Sequence, residues 1–215
     1  MRNLFTLLSF LVLATSLNAQ KNDPNAKKIL DAVSAKFKSF KTVTANFKYK
    51  VENADGKTLS SKTGVLSMKG AKYKIKFGEQ EIFSNGNTIW NYDKTANEVT
   101  ISTMENSATT LTPQKLFTNF YDKDFLYMLN GEKTTGGVVV QEIELTPTDK
   151  TRPYHKIYLT INKKTNTIIS TKILENGGNR YTYYVSTLTP NKVMADNSFT
   201  FDKAKFPTAE LVDLR

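Results

Sequence analysis

The sequence predicts an α+β chain that is mainly β: an incomplete, strongly curved antiparallel β-barrel of about ten or eleven strands, with an α-helical lid over an apolar cavity. Three observations predict it. Alternating residues recur in short runs, as in Val43, Ala45, Phe47, Tyr49 and Val51 against Thr44, Asn46, Lys48 and Lys50, the period-two signature of half-buried strands. Two stretches break that period with apolar residues three and four apart, the mark of an amphipathic helix. A sheet of so many strands must curl, split or close, because twisted open sheets rarely exceed about ten strands.

The elements follow in chain order. Residues 1–19 read as a signal peptide, with Met1-Arg2-Asn3 as a positive start, an apolar run from Leu4 to Leu17, and Leu17-Asn18-Ala19 before the cut at Gln20. That leaves residues 20–215 as one exported domain destined for the periplasm. Asp23-Pro24 supplies a cap and a first helical residue, and Ala26, Ile29, Leu30, Val33, Phe37 and Phe40 form one stripe. Strands are expected from Val43 to Val51, Lys57 to Met68, Lys72 to Phe77, Gln80 to Ser84, Thr88 to Tyr92 and Glu98 to Thr103, separated by turn signals such as Asp55-Gly56 and Asn85-Gly86. Between Thr112 and Leu129 the spacing of Leu116, Phe117, Phe120, Phe125, Leu126 and Leu129 predicts a helical insertion. Strands resume over Val138–Thr146, Tyr154–Asn162, Thr167–Glu175 and Arg180–Leu188, and the Phe199 to Pro207 tail reads as an edge strand or irregular closure.

Composition narrows the function. The chain has 215 residues, a formal charge of +10 and no cysteine, so thiol chemistry, disulfides and thiolate metal sites are excluded. Its lysines are spread out, which reads as a solvated surface. "KYKIKF" interleaves lysines with aromatics, but strand alternation accounts for that, and no nucleic-acid partner is expected. The one histidine, His155, sits on an alternating strand without a local partner, and Asp55, Asp93 and Asp202 stand at turns. No phosphate loop, nucleophile elbow or zinc spacing occurs. No enzyme activity, metal or cofactor is expected.

A binding role fits better. In "SNGNTIWNYD" Ile89 and Trp90 are adjacent and must point to opposite faces, so both faces there need cover: the cavity on one side, a helix or the rim on the other. The candidate lining is Phe47, Tyr49, Leu66, Met68, Tyr73 and Ile75, continued by Phe77, Ile82, Phe83, Trp90, Tyr92 and Ile101. Leu116, Phe117, Phe120, Phe125 and Leu126 are the candidate lid, and Met68, Met104 and Met128 could repack around bound chains.

The opening helix followed by "TVTANFKYKV", then "GVLSMKGAKYKIKF", "IFSNGNTIWNYD", "LTPQKLF" and "FTFDKAKFP" together resemble the LolA family of periplasmic lipoprotein carriers. The resemblance covers nearly all of the chain after the signal peptide. It implies a half-barrel whose cavity receives the acyl chains of lipoproteins, with Tyr73 and Ile75 facing it. It also implies an ATP-driven, ABC-type extractor in the inner membrane, and an outer-membrane acceptor or that membrane itself as the destination. A monomer is expected. Family members carry a basic-proline dipeptide where this chain has Lys69-Gly70, making Lys69 the lid-latch candidate, although lysine lacks the planar donor fork of arginine. At about 0.8 kcal/mol per methylene, one chain of about sixteen carbons loses on the order of ten kcal/mol in water, so such cargo needs shelter. A lipid- or lipopolysaccharide-sensing module of the same fold is the alternative.

Overall fold

A computed structural model gives the structure of the chain and describes residues 22–104 and 121–215. The predicted signal peptide lies outside them, as do the lid candidates Leu116, Phe117 and Phe120.

Helix α1 spans Pro24–Lys38, begins with Pro24 and is capped by Asp23, whose Oδ1 accepts the Asn25 N–H at 2.8 Å. Six strands then form a meander: β1 (Val43–Glu52), β2 (Thr58–Lys69), β3 (Lys72–Phe77), β4 (Gln80–Ser84), β5 (Thr88–Asp93) and β6 (Glu98–Thr103). After the single helical turn α2 (Tyr121–Asp124) come β7 (Phe125–Thr135), β8 (Val138–Pro147), β9 (Tyr154–Asn162), β10 (Thr167–Glu175) and β11 (Arg180–Pro190). The short strand β12 (Glu210–Asp213) ends the fold after two 3-10 turns, Asp196–Phe199 and Lys203–Lys205.

All twelve strands belong to one sheet in the order β12-β6-β5-β4-β3-β2-β1-β11-β10-β9-β8-β7. The two meanders are joined by the antiparallel pairing of β1 with β11, from Val43 opposite Pro190 to Glu52 opposite Arg180. The sheet curls without closing, leaving β7 and β12 as its edges.

The structure refines the strand count and corrects one expectation. Among the described residues the curled, unclosed sheet has twelve strands against the ten or eleven expected, and one pair, β12 with β6, runs parallel. Phe125 and Leu126, placed above in the helical lid, lie in β7. Phe125, Tyr127 and Leu129 alternate towards one face opposite Pro147, Leu145 and Ile143, and Phe125 is fully buried, stacked on Tyr154. Phe125 to Leu129 is a continuous apolar run, which fits either period, and here pairing with β8 decides. Chain entry into α1 seals this edge: Asn22 Oδ1 accepts the Tyr127 N–H at 3.0 Å, the Asp23 N–H donates to the Tyr127 carbonyl at 3.1 Å, and Asp23 Oδ2 accepts the Leu129 N–H at 3.0 Å. The Leu129 N–H first, and then the Asn25 N–H, hold the Asp23 carboxyl below its ordinary range.

The inner face is the one that carries α1. Ala26, Leu30 and Val33 pack there on Ile143, Leu145, Ile157, Leu159 and Ile161 of β8 and β9. Phe37 and Phe40, at the far end of the helix, pack instead on Val43, Met68 and Tyr73 of β1–β3. One helix thus spans both meanders of the inner face, consistent with its single apolar stripe. Among the described residues no helix is long and apolar enough to cross a membrane.

Candidate functional site

Between these packed regions the inner face holds a cavity of about 300 Å³. Ala45, Phe47 and Tyr49 of β1 line it with Leu66 of β2, Ile75 and Phe77 of β3, and Ile82 of β4; across the β1–β11 seam come Tyr183, Val185, Ile168 and Thr171. Alternation and register explain the gathering: Leu66 lies opposite both Ala45 and Ile75, Ile75 opposite Ile82, and Tyr49 opposite Tyr183. Thr171 and the phenols of Tyr49 and Tyr183 supply the hydroxyls among otherwise aliphatic and aromatic groups, a lining suited to hydrocarbon.

Aromatic rings build one end. Tyr49 sits with its ring centroid 5.0 Å from that of Tyr183 and 6.4 Å from that of Phe77. Burial, followed by the neighbouring Tyr183 and Tyr181, pushes the Tyr49 phenol up to about 12, so this wall is neutral at any physiological pH.

The room beside Phe47 depends on Gly64, which faces it across β2. A Cβ at Gly64 would stand 2.5 Å from the Phe47 ring and 2.7 Å from the Lys76 carbonyl oxygen, closer than atoms can approach without movement. Gly64→Ala is therefore expected to destabilise the protein by about 1–3 kcal/mol and to drive the Phe47 ring into the cavity. A thermal melt reads the first effect and weakened binding of a fluorescent fatty acid the second; unchanged values for both would refute this role of Gly64.

The predicted lining divides by face. Phe47, Tyr49, Leu66, Ile75, Phe77 and Ile82 line the cavity. Met68 and Tyr73 share that face but are buried against the end of α1. Phe83, Trp90, Tyr92 and Ile101 are corrected: they occupy the outer face. Ile82 points inward, so adjacent Phe83 points outward, and Trp90 and Ile101 follow it by register. The C-terminal segment covers them, with Tyr92 4.7 Å from Phe206 and Phe83 6.0 Å from Phe201 between ring centroids. Trp90 packs on this cluster with Val99 and Ala209. The tail, neither helix nor cavity rim, covers the second side of the "TIWNYD" strand.

Met104 packs against the inner cluster, whereas Met128 is 43% exposed on β7 and lines nothing there. Ile168, Thr171, Tyr183 and Val185 were missed, because the β1–β11 seam that brings them together joins segments distant in sequence, and Ala45 shares the β1 face of Phe47 and Tyr49.

Lys69 reaches the C-terminal segment. Its Nζ lies 2.7 Å from Asp196 Oδ1 and donates to the Met194 carbonyl at 3.2 Å, while Lys72 Nζ lies 2.8 Å from Asp196 Oδ2. Gly70 has φ +58° in the two-residue turn between β2 and β3, a conformation closed to the proline of the family pattern. The Lys69 and Lys72 ammonium groups hold Asp196 down to about 2. Because this pKa is depressed, the attachment is complete above the ordinary carboxylate range and lost as pH falls through about 2. An NMR titration should show the Asp196 midpoint near 2 and rising in the Lys69→Gln variant; an ordinary midpoint in the wild type would contradict the clamp.

Exposed His155 lies on β9, and among the described residues no group of three or more His, Cys, Asp or Glu side chains could hold a metal ion.

The family model described as "Outer membrane lipoprotein carrier protein LolA" matches residues 38–202. No curated protein sequence matches the chain. Among solved structures, a conserved protein from Thermus thermophilus is similar at 13% identity and TM-score 0.59, over 88% of this chain and 99% of that one. The Mycobacterium tuberculosis lipoprotein LppX aligns at 11% identity and TM-score 0.48, over 80% of this chain and all of that one. An outer membrane lipoprotein-sorting protein domain from Vibrio parahaemolyticus aligns at 13% identity and TM-score 0.45, over 85% and 99% of the two chains. At these identities the likeness is one of fold.

Proposed function

The chain belongs to the LolA family, and from that premise we propose that it is an exported carrier, without enzymatic activity, that shelters the acyl chains of lipoproteins between the inner and outer membranes. One observation carries the reading: an inner face that covers part of itself with α1 yet keeps a cavity of about 300 Å³ lined almost wholly by apolar side chains. A structural barrel would fill that space with its own residues. Apolar burial is non-directional, so such a cavity accepts chains that differ in length and kind. It offers no charged anchor that would oppose release. In this reading an inner-membrane, ATP-driven extractor loads the cavity and an outer-membrane acceptor, or that membrane, empties it.

Native mass spectrometry of the protein purified from its own compartment tests the proposal. A bound acylated species is expected. A protein that carries none, and that also fails to bind an acylated peptide in solution, would refute it.

A further inference from the structure

One end of the molecule combines features that the cavity does not use. Here the end of α1, the β2–β3 turn and the segment after β11 meet. Residues 37–42, 69–72 and 191–196 contain five lysines, Lys38, Lys41, Lys69, Lys72 and Lys192, against one carboxylate, Asp196. In their midst Val193 is fully exposed.

A mobile tip could turn such a residue away from water, but this one is pinned on both sides. The Asn191 N–H donates to the Thr42 carbonyl at 2.8 Å, the Lys41 N–H donates to Asn191 Oδ1 at 2.8 Å, and Thr42 Oγ1 donates to the Lys192 carbonyl at 2.6 Å. On the far side Lys69 holds Met194 and Asp196. The fold therefore spends backbone and side-chain bonds on displaying a valine to solvent at a lysine-rich end.

Beside it is a second cavity of about 190 Å³, lined by Phe37, Phe40, Val43 and Met68 and flanked by Lys38 and Lys41. Val43 and Met68 belong to the same apolar cluster as Leu66, on which the cavity residues Phe47, Ile75 and Ile82 pack. The basic end is thus continuous, through one apolar cluster, with the proposed acyl site.

We propose that this end docks on an anionic lipid bilayer, with Val193 entering the headgroup region and the exposed Lys41 and Lys192 facing lipid phosphates. Lysines near an anionic surface and a shallow apolar insertion reinforce each other, and neither alone binds firmly. The inference deepens the carrier reading and rests on it for its purpose: docking would bring the apolar cluster to the membrane that yields or receives the chain.

The test is co-sedimentation of the cargo-free chain with vesicles of phosphatidylglycerol and phosphatidylethanolamine, and in parallel with neutral phosphatidylcholine vesicles. Selective binding to the anionic vesicles, lost in high salt, is expected. Lys41→Gln and Lys192→Gln should each weaken partition about fivefold, and Val193→Asp roughly tenfold or more. All three side chains are exposed, and thermal melts should match the wild type. Equal partition onto both vesicle types, or variants that partition like the wild type, would overturn the proposal. So would a wild type that dimerises through this face, becomes monomeric on Val193→Asp and ignores vesicles. Binding of a fluorescent fatty acid, measured on the same preparations, reports on the acyl cavity independently, so loss of one reading is not mistaken for loss of the other.

Discussion

Ile75→Glu is expected to abolish the proposed acyl-chain binding, by at least about a hundredfold, while the protein still folds. Ile75 is half-buried on β3, between Leu66 and Ile82, with its side chain on the cavity. In the empty protein a glutamate there keeps its water. Against a hydrocarbon chain it must shed that water with no partner, at a cost of several kcal/mol. Phe83 provides the contrast. It lies directly opposite Lys74 on the outer face, packed on Phe201 and with Lys74 Nζ 4.5 Å from its ring centroid. Phe83→Ala should leave acyl affinity within about twofold and destabilise the fold by about 3–5 kcal/mol. Fluorescent fatty-acid titration and thermal unfolding of both variants separate the two effects. Affinity lost in Phe83→Ala and kept in Ile75→Glu would invert the assignment of faces.

Phe125→Ala should be the most damaging single truncation in the β7–β9 half. The ring is buried, parallel to Tyr154 with centroids 6.4 Å apart, and the Arg152 guanidinium lies 5.2 Å above it. Arg152 is itself buried, donates from Nη1 to the Tyr154 hydroxyl at 2.8 Å, and has Asp124 at 3.5 Å. Removing the ring opens a cavity and takes the apolar support from a buried cation. About 3–5 kcal/mol is expected, which for a chain of this size lowers Tm by roughly 6–20 °C. Calorimetry checks it, and a shift under about 2 °C would show that this corner does not carry the packing described.

Much of the fold was legible because local chemistry agreed with the global arrangement. Asp23-Pro24 starts α1, and the strands Lys72–Phe77, Gln80–Ser84, Tyr154–Asn162 and Thr167–Glu175 have the bounds that alternation and turn residues predict. β7 was read as helix because its apolar residues fit both periods, and only the partner strand β8 discriminates. β12 is four residues long and held by parallel pairing to β6, which leaves no turn signature in the sequence. Half of the cavity lining was also legible. Alternation says which residues share a face, but not which face is inside. For Phe83, Trp90, Tyr92 and Ile101 that choice is made by Phe201, Phe206 and Ala209, about a hundred residues further along the chain. Lys69 stands out by its place in the family pattern as a latch for the lid, whereas its partners in the structure, Met194 and Asp196, belong to the tail.

The most direct measurement is site-specific photo-crosslinking to an acylated peptide, with the photoreactive residue placed in turn at Ile75, at Val185 and at Trp90. Ile75 and Val185 flank the cavity from opposite sides of the β1–β11 seam, and Trp90 faces away from it. Crosslinks from the first two and none from Trp90 are predicted. Crosslinks from Trp90 alone, or equally from all three positions, would contradict a cavity on the inner face that holds the chain.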